Sequence, residues 1–143
     1  MRYVYPTTVQ EDEGGFFLVT FPDVPEAGTD APTSEEAIAG APDALIAAFA
    51  GYIEDRRDIP PPSKPGRCQR VVYLPPLVAA KLALYHAMRE AGMNNMQLAK
   101  RLKVSEAVVR RLLDLDHRSH IVRVETALAV LGKRVIVEVG DAA

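Results

Sequence analysis

Two groups of prolines limit how this chain can fold. Residues 59–66 (IPPPSKPG) contain four prolines, and Pro75-Pro76 follow shortly afterwards. Proline lacks a backbone N–H and disfavours the helical conformation of the residue before it, so neither group can lie inside a helix or a central strand. Residues 59–66 should therefore be extended, and Pro75-Pro76 should separate two domains, residues 1–75 and residues 76–143.

The first domain has the pattern of a small sheet. Residues 3–9 and 16–21 are rich in β-branched and aromatic side chains, and the intervening EDEGG is typical of a turn, which predicts a hairpin. Glycine and prolines surround residues 28–31, where a short third strand can form. The run VVY indicates a further strand within residues 67–74. We expect three to four strands in this domain.

One long helix should accompany these strands, at residues 34–54. Thr33 or Ser34 can cap its N-terminus, two glutamates suit the positive end of the helix dipole, and an Ala-rich run with spaced larger apolar side chains follows. Pro42 lies inside this run. It should kink the helix or split it, because it removes one hydrogen bond and clashes with the preceding turn.

The sequence after Pro75-Pro76 predicts a mostly helical domain with a terminal strand. Gly92 and Gly132 are placed to end the first and the last helix. The alternating Val and Ile of residues 134–139 predict a strand, which could pair with its twin across a dimer axis or fold back on its own helices. The fold class is thus α+β, an α/β domain followed by a helical one. The expected helices are residues 78–91, 96–102, 105–115 and 124–131.

The composition narrows the class of protein. With 48% hydrophobic and 25% charged residues, the chain is of the soluble globular kind. Its single Cys68 cannot form an internal disulfide, and one Cys with three separated His cannot make a zinc site. No apolar run reaches the ~20 residues of a membrane span, and the polar start does not fit a signal peptide. We expect a cytoplasmic protein that needs no membrane, metal or cofactor.

Residues 95–113 have the spacing of a helix-turn-helix. A small Ala99 would let the two helices cross closely, Val104 would plug the turn, and Val109 and Leu112 would seat the second helix. The alternative is an antiparallel helical pair with a solvated charged face.

The second helix of this motif would be the recognition helix in a DNA major groove. Ser105 could cap it, Arg110 and Arg111 could hold phosphates or read guanine edges, and Asn95 and Gln97 could donate to the DNA backbone. Lysines and arginines concentrate in this half of the chain, whereas the first ~60 residues carry most of the acidic side chains. The predicted DNA-binding residues are Asn95, Gln97, Ser105, Glu106, Ala107, Arg110 and Arg111.

No pattern in the chain predicts catalysis. The carboxylates of the EDEGG turn and Asp23 lie outside the strands, where solvated roles are expected, and no strand carries the inward carboxylates of a two-metal nuclease. Cys68 has no local His partner for a nucleophile. We expect no catalytic residue, no metal ligand and no enzyme activity. The histidines, which also lack partners at a useful spacing, are His86, His117 and His120.

Several motifs of residues 1–75 occur together in one known family. The EDEGG turn, FFLVTFPDVP, the helix start TSEEA and IPPPS in combination resemble the HicB antitoxins, many of which carry a helix-turn-helix tail like the remainder of this chain. The resemblance implies a degraded ribonuclease-H-like α/β domain without nuclease activity. It also implies a small basic HicA-like partner, a toxin that cleaves mRNA, and a homodimer or homotetramer that represses its own operon on palindromic operator DNA.

Three functions therefore compete. The favoured one is an antitoxin that neutralises its toxin by direct binding and represses its own operon. The second is a stand-alone helix-turn-helix transcription regulator whose N-terminal domain senses a ligand or only oligomerises. An adjacent reading frame for a short basic protein would favour the first, and its absence the second. The third, an RNA-cleaving enzyme, ranks last because the carboxylates lie on turns.

Overall fold

The computed structural model describes residues 1–142 and divides the chain into two compact units. The first unit is Met1–Ala79, and the second begins at Ala80. Each unit has its own set of buried apolar side chains.

The first unit is built on a four-stranded antiparallel sheet. The central strand β1 pairs with β2 through residues 8–11 and with β4 through residues 4–7, and the strand order is β3-β2-β1-β4. The predicted hairpin, the short third strand and the further strand are all confirmed. The strands are β1 Val4–Glu11, β2 Phe17–Thr20, β3 Gly28–Ala31 and β4 Arg70–Tyr73.

A single helix, α1 (Ser34–Glu54), packs on one face of this sheet. The Oγ1 of Thr33 accepts a hydrogen bond from the backbone N–H of Glu36 at 3.2 Å, which identifies Thr33 as the predicted N-cap. The aromatic rings of Phe49 and Tyr5, a β1 residue, lie 5.2 Å apart between centroids. Side chains four residues apart form the buried stripe, namely Ala37, Ala41, Leu45 and Phe49.

The predicted split of this helix at Pro42 is wrong. The helix runs unbroken from Ser34 to Glu54 with Pro42 inside it. Proline in a helix interior costs about 3 kcal/mol. Fully buried side chains lie on both sides of it, Ala37 and Ala41 before and Leu45 after, so packing on the sheet outweighs the missing hydrogen bond.

The length and composition of α1 alone would let it cross a membrane. A core helix of a soluble domain satisfies the same criterion. Because the stripe of buried side chains on α1 is used in packing against the sheet, we assign this helix to the core of the first unit.

Four helices complete the described chain. Helix α2 contains the start of the second unit, and α3 packs against both α4 and α5. The predicted helices are confirmed, with boundaries shifted by up to three residues. The core of the second unit includes the fully buried Leu82, Leu84, Leu98, Val109 and Val124. The helices are α2 Pro76–Glu90, α3 Asn95–Leu102, α4 Glu106–Leu113 and α5 Ile121–Val130.

Four helices end in the same way, with one residue in the left-handed conformation. The residue after it donates its N–H to the carbonyl five positions back, as Arg57 does to Tyr52 and Val104 to Ala99. Gly92 and Gly132 occupy this position after α2 and α5, as predicted. After α1 and α3 the left-handed residues are Arg56 and Lys103, with φ of 54° and 56°.

The predicted strand at residues 134–139 is not formed in the single chain. Residues 133–142 belong to no helix or strand. A strand needs a hydrogen-bonded neighbour, and no described segment of this chain pairs with these residues. The alternative in which they fold back as a strand on their own domain is therefore wrong as well.

Candidate nucleic-acid interface

Helices α3 and α4 are two eight-residue helices joined by a three-residue turn, and each begins differently. A capping box opens α3: the Oδ1 of Asn94 accepts from the N–H of Gln97 at 2.8 Å, and the Oε1 of Gln97 accepts from the N–H of Asn94 at 2.9 Å. Asn94 was missed by the sequence reasoning, although the spacing of Asn94 and Gln97 is the signature of such a box. Because the Oε1 of Gln97 already accepts this hydrogen bond, the NH₂ of the same side chain is the group that can donate to a ligand.

Ser105 was predicted to cap α4 with its side chain, and this prediction is wrong. It occupies the N-cap position with an extended backbone, but its side chain makes no capping hydrogen bond there. The first turn of α4 is closed instead through the backbone, where the N–H of Val108 donates to the carbonyl of Ser105 at 3.1 Å.

The turn between the two helices depends on its backbone. Lys103 adopts the left-handed conformation, and the N–H of Val104 donates to the carbonyl of Ala99 at 3.0 Å. The prediction that Val104 plugs the turn is wrong, since its side chain is 39% exposed. Ala99, Val109 and Leu112 are buried, in agreement with the prediction that Ala99 lies where the two helices cross and that Val109 and Leu112 seat the second helix.

The predicted DNA-binding residues fall on one stretch, but they are not equally accessible. The arginines of α4 are exposed, and Arg110 forms an ion pair with Glu106 one turn earlier, at 3.8 Å between Nε and Oε1. An exposed i,i+4 pair contributes only ~0.3–0.5 kcal/mol, so either side chain can change partner at little cost. Asn95 and Ala107 are half-buried. The exposed members are Gln97, Ser105, Glu106, Arg110 and Arg111.

A buried lysine holds the far end of α4, and nothing in the local sequence pointed to it. Lys81 lies on α2 with its side chain fully buried. Its Nζ donates to the carbonyl oxygens of Arg111 at 2.9 Å, Asp114 at 2.6 Å and His117 at 2.8 Å. Burial lowers the pKa of Lys81, and the negative charge of Asp114 opposes that shift. One ammonium group thus satisfies the carbonyls that end α4 and begin the next loop.

A small basic cavity lies beside this helix end. It has a volume of about 80 Å³. The Nδ1 of His117 and the Oγ of Ser119 are hydrogen-bonded at 2.9 Å on its wall. Its charged or ionisable lining residues are Arg111, His117, Arg118, His120 and Arg123.

Charge separates the two units clearly. Residues 1–79 hold 12 acidic and 6 basic side chains, and residues 80–143 hold 7 acidic and 11 basic ones, which gives net charges of −6 and +4. The overall charge of −2 therefore conceals a basic second unit.

The carboxylates of the first unit hold its loops together. The Oδ1 of Asp12 accepts from the N–H groups of Gly14 and Phe16, at 2.8 and 2.9 Å. The Oδ2 of Asp23 accepts from the N–H and the hydroxyl of Ser63, at 2.9 and 3.0 Å, and so fastens the proline-rich segment to an earlier loop. Among the described residues, no three His, Cys, Asp or Glu side chains lie close enough to hold a metal ion.

A further carboxylate closes the end of α1. Glu26 accepts from the hydroxyl of Tyr52 at 2.6 Å and from the guanidinium of Arg57 at 2.9 Å, and the same guanidinium lies 4.0 Å from the centroid of the Tyr52 ring. The hydrogen bond from Tyr52, assisted by Arg57, lowers the pKa of Glu26. Cys68, the one cysteine of the chain, is exposed and unpaired by any disulfide.

The comparison with protein families defines the class of this protein. Residues 4–83 match the family described as HicB_like antitoxin of bacterial toxin-antitoxin system. The match covers most of the first unit and more than half of the chain. The protein is thus of the antitoxin class.

Similar proteins extend over both units. The chain is 42% identical to Antitoxin HicB 2 of Photorhabdus laumondii, over 90% of this chain and 91% of that protein. It is 38% identical to Antitoxin HicB of Pseudomonas fluorescens, over 97% and 95% of the two chains. For Antitoxin HicB of Escherichia coli the identity is 36%, over 90% and 94%. This chain belongs to the HicB-like antitoxin family.

Proposed function

We propose that this antitoxin neutralises a HicA-type mRNA-cleaving toxin by direct binding and represses its own operon by binding operator DNA. The observation that carries the DNA-binding part is the pair α3 and α4 on a unit of net charge +4, with Arg110 and Arg111 exposed on the second helix. The toxin-binding part rests on the family match, which lies almost entirely in the first unit.

In this proposal α4 is the recognition helix of a helix-turn-helix. Its exposed N-terminal residues, Ser105 and Glu106, would face base edges together with Ala107, while Arg110 leaves its ion pair with Glu106 for a phosphate or a guanine. The side-chain NH₂ groups of Asn95 and Gln97, in the first turn of α3, would donate to a backbone phosphate.

The basic cavity supports the same orientation. It lies along α4 on the side of Arg111 and adds Arg118 and Arg123 to the positive surface. Phosphate contacts by such side chains give affinity and register rather than sequence preference. Lys81 serves this interface indirectly, because it fixes the backbone at Arg111.

The DNA-binding proposal is tested with the double substitution Arg110→Ala and Arg111→Ala. We expect at least ~100-fold weaker binding to DNA from the region upstream of the chain's own operon, measured by fluorescence anisotropy. The slope of log affinity against log salt should also fall by about 1 for each phosphate that the variant no longer binds.

A matched control removes the same charge from the first unit. Arg67→Ala with Arg70→Ala also lowers the net charge by two, and both positions are exposed. This variant should bind DNA within about 2-fold of the parent protein at moderate salt, where distant charges are screened. Equal losses in both double variants would reject α4 as the recognition helix.

The toxin-binding proposal assigns the partner to the first unit. A net charge of −6 suits a basic protein, and electrostatic attraction would speed the encounter of the two. Its test is bacterial growth when the short reading frame next to this gene is induced alone or together with this chain. Growth arrest that co-expression relieves supports the proposal. Arrest without relief, or no arrest, favours a stand-alone regulator.

Both partners would be met in the cytoplasm, where the operon and its mRNA are located. On a palindromic operator, a homodimer or homotetramer would present two copies of α4 to half-sites about one DNA turn apart.

A further inference from the structure

The basic cavity beside the end of α4 is lined by cations that no carboxylate neutralises. Its arginines come from three successive parts of the chain: Arg111 from α4, Arg118 from the following loop and Arg123 from α5. In the part of the chain that the structure describes, no carboxylate forms an ion pair with any of these guanidinium groups, whereas the neighbouring Arg110 has one. Like charges that share one cavity repel each other, and a bound anion would relieve that repulsion. The cavity thus has the charge of an anion site.

The size of the cavity limits the anion to a small one. Its volume of about 80 Å³ exceeds the ~10–15 Å³ that one water needs. It lies well below the ~300–1,000 Å³ of pockets that enclose larger organic ligands, so a nucleoside does not fit. The guanidinium group is a planar fork of donors that matches the oxygens of a phosphate. Size and donor type together favour a single phosphate group.

The walls of the cavity are held in place from behind. The Nζ of Lys81 donates to the carbonyl oxygens of two cavity residues, Arg111 at 2.9 Å and His117 at 2.8 Å. The Oγ of Ser119 is hydrogen-bonded to the Nδ1 of His117 at 2.9 Å and to the carbonyl oxygen of Arg111 at 3.4 Å. A ligand that enters a site with a fixed backbone has less ordering entropy to overcome. The cavity is therefore organised before any ligand binds.

The first turn of α5 borders the same cavity. The N-cap residue of this ten-residue helix, His120, makes no side-chain capping hydrogen bond. The first N–H groups of a helix have no partner within it, and the helix dipole places a partial positive charge there. Both His120 and Arg123 line the cavity, so this uncapped end adds to the attraction that the arginines exert on an anion.

We propose that this cavity is a binding site for one phosphate group, held by the guanidinium groups of Arg111, Arg118 and Arg123. The group belongs either to the DNA backbone or to free inorganic phosphate, because both present anionic phosphate oxygens. The first source deepens the proposed operator binding and rests on it, since it gives the second unit an anchor beyond the base-reading part of α4. The site itself requires neither DNA nor toxin.

Inorganic phosphate, in the absence of DNA, tests the site on the full chain. At constant ionic strength, two-dimensional NMR should show saturable shifts of the backbone amides of residues 117–123 as phosphate replaces chloride. In Arg118→Ala with Arg123→Ala, we expect at least ~10-fold weaker phosphate binding, because charge-assisted hydrogen bonds to the anion are lost. Lys100→Ala with Arg101→Ala removes the same charge from the same unit outside this cavity, and its phosphate affinity should stay within about 2-fold of the parent.

A charge-preserving variant separates anion binding from a structural effect. Arg118→Lys with Arg123→Lys keeps both positive charges without the planar fork, so it should regain most of the lost phosphate affinity. Tm measurements should show that all variants remain folded, since both side chains are exposed. Shifts that do not saturate, an alanine variant that binds phosphate like the parent, or an equal loss in the control would overturn the proposal.

Competition identifies the source of the phosphate group. DNA from the region upstream of the operon is titrated with the full chain, in chloride and in phosphate at equal ionic strength, with phosphate at about three times its Kd. If the DNA backbone occupies the cavity, phosphate should weaken DNA binding of the parent by about 2- to 4-fold and leave the alanine variant at Arg118 and Arg123 unaffected. Equal DNA affinity in both salts, with saturable phosphate binding, assigns the site to free phosphate.

The two assignments can fail separately. The NMR titration contains no DNA, so its failure would leave α4 as the proposed recognition helix. Failure of the chain to bind operator DNA at all would leave the result of the phosphate titration unchanged.

Discussion

The two units of this chain reach a stable core by different means. In the first unit, strands from distant parts of the sequence pair, and an apolar helix covers them, with Thr7 as a buried polar residue whose hydroxyl donates to the carbonyl of Thr20 at 2.8 Å. The second unit joins short helices of local sequence, and a buried ammonium group binds three of its carbonyls. Both units have an apolar core, but the second unit also contains a buried charge that binds its backbone.

The sharpest test of this contrast replaces Lys81 by Met. The variant keeps most of the side-chain volume but leaves three part-buried carbonyls without their donor, so we expect the free energy of unfolding of the second unit to fall by about 3 kcal/mol. Native-state hydrogen exchange of α4 amides would measure it. The matched change in the first unit, Thr7→Val, removes one hydrogen bond and should cost about 1 kcal/mol. If Lys81→Met and Thr7→Val lower the free energy of unfolding equally, the buried ammonium contributes no more than one ordinary hydrogen bond.

A smaller effect is expected at the two left-handed positions that lack glycine. Arg56→Gly in the first unit and Lys103→Gly in the second should each raise the free energy of unfolding by about 1 kcal/mol, because a side chain is strained at positive φ. Urea unfolding would measure both. Gly92→Ala is the reverse control and should destabilise by about 1 kcal/mol, since no neighbouring atom lies within 4 Å of its added Cβ and only the backbone strain acts. A loss of stability in Lys103→Gly would mean that the side chain, and not the backbone, closes this turn.

The smallest expected effect concerns one exposed carboxyl in each unit. Tyr52 and Arg57 lower the pKa of Glu26, and the hydrogen bond and charge of Lys133, assisted by His86, lower that of Glu90. A carboxyl whose pKa is lower in the folded state contributes stability above its unfolded value, and loses it as the pH falls through the folded-state pKa.

Glu26→Gln and Glu90→Gln should therefore each be slightly less stable than the parent chain at neutral pH, and the difference should disappear as the pH falls through the folded-state pKa of each carboxyl. Urea midpoints over a series of decreasing pH values would measure this. A difference that persists in acid would show that the glutamine disturbs packing rather than charge.

The sequence predicted those features that depend on neighbouring residues. The N-cap Thr33, the glycine ends of α2 and α5 and the strands of the hairpin follow from local backbone preferences. The unbroken helix at Pro42 does not, because packing on the sheet decides it. Lys81 could not be found either, since its partners lie 30 to 36 residues away in sequence.

The candidate site was predicted in outline for the same reason. Helical spacing placed Val109 and Leu112 inside and the arginines of α4 outside, but it could not show which termini have side-chain caps. Asn94 has one and Ser105 does not. The predicted strand at residues 134–139 had a strand-like composition, but no described segment of the chain forms a hydrogen-bonded neighbour for it.

The contacts of Lys81 also bear on how the proposed DNA interface could change its sequence preference. The ammonium group binds main-chain oxygens, which every residue type possesses. The side chains of Arg110 and Arg111 take no part in these hydrogen bonds. Substitutions of these side chains therefore leave the contacts between Lys81 and the backbone in place. A lineage that duplicates this gene can acquire a new binding preference through a few surface changes, without rebuilding the domain that displays them.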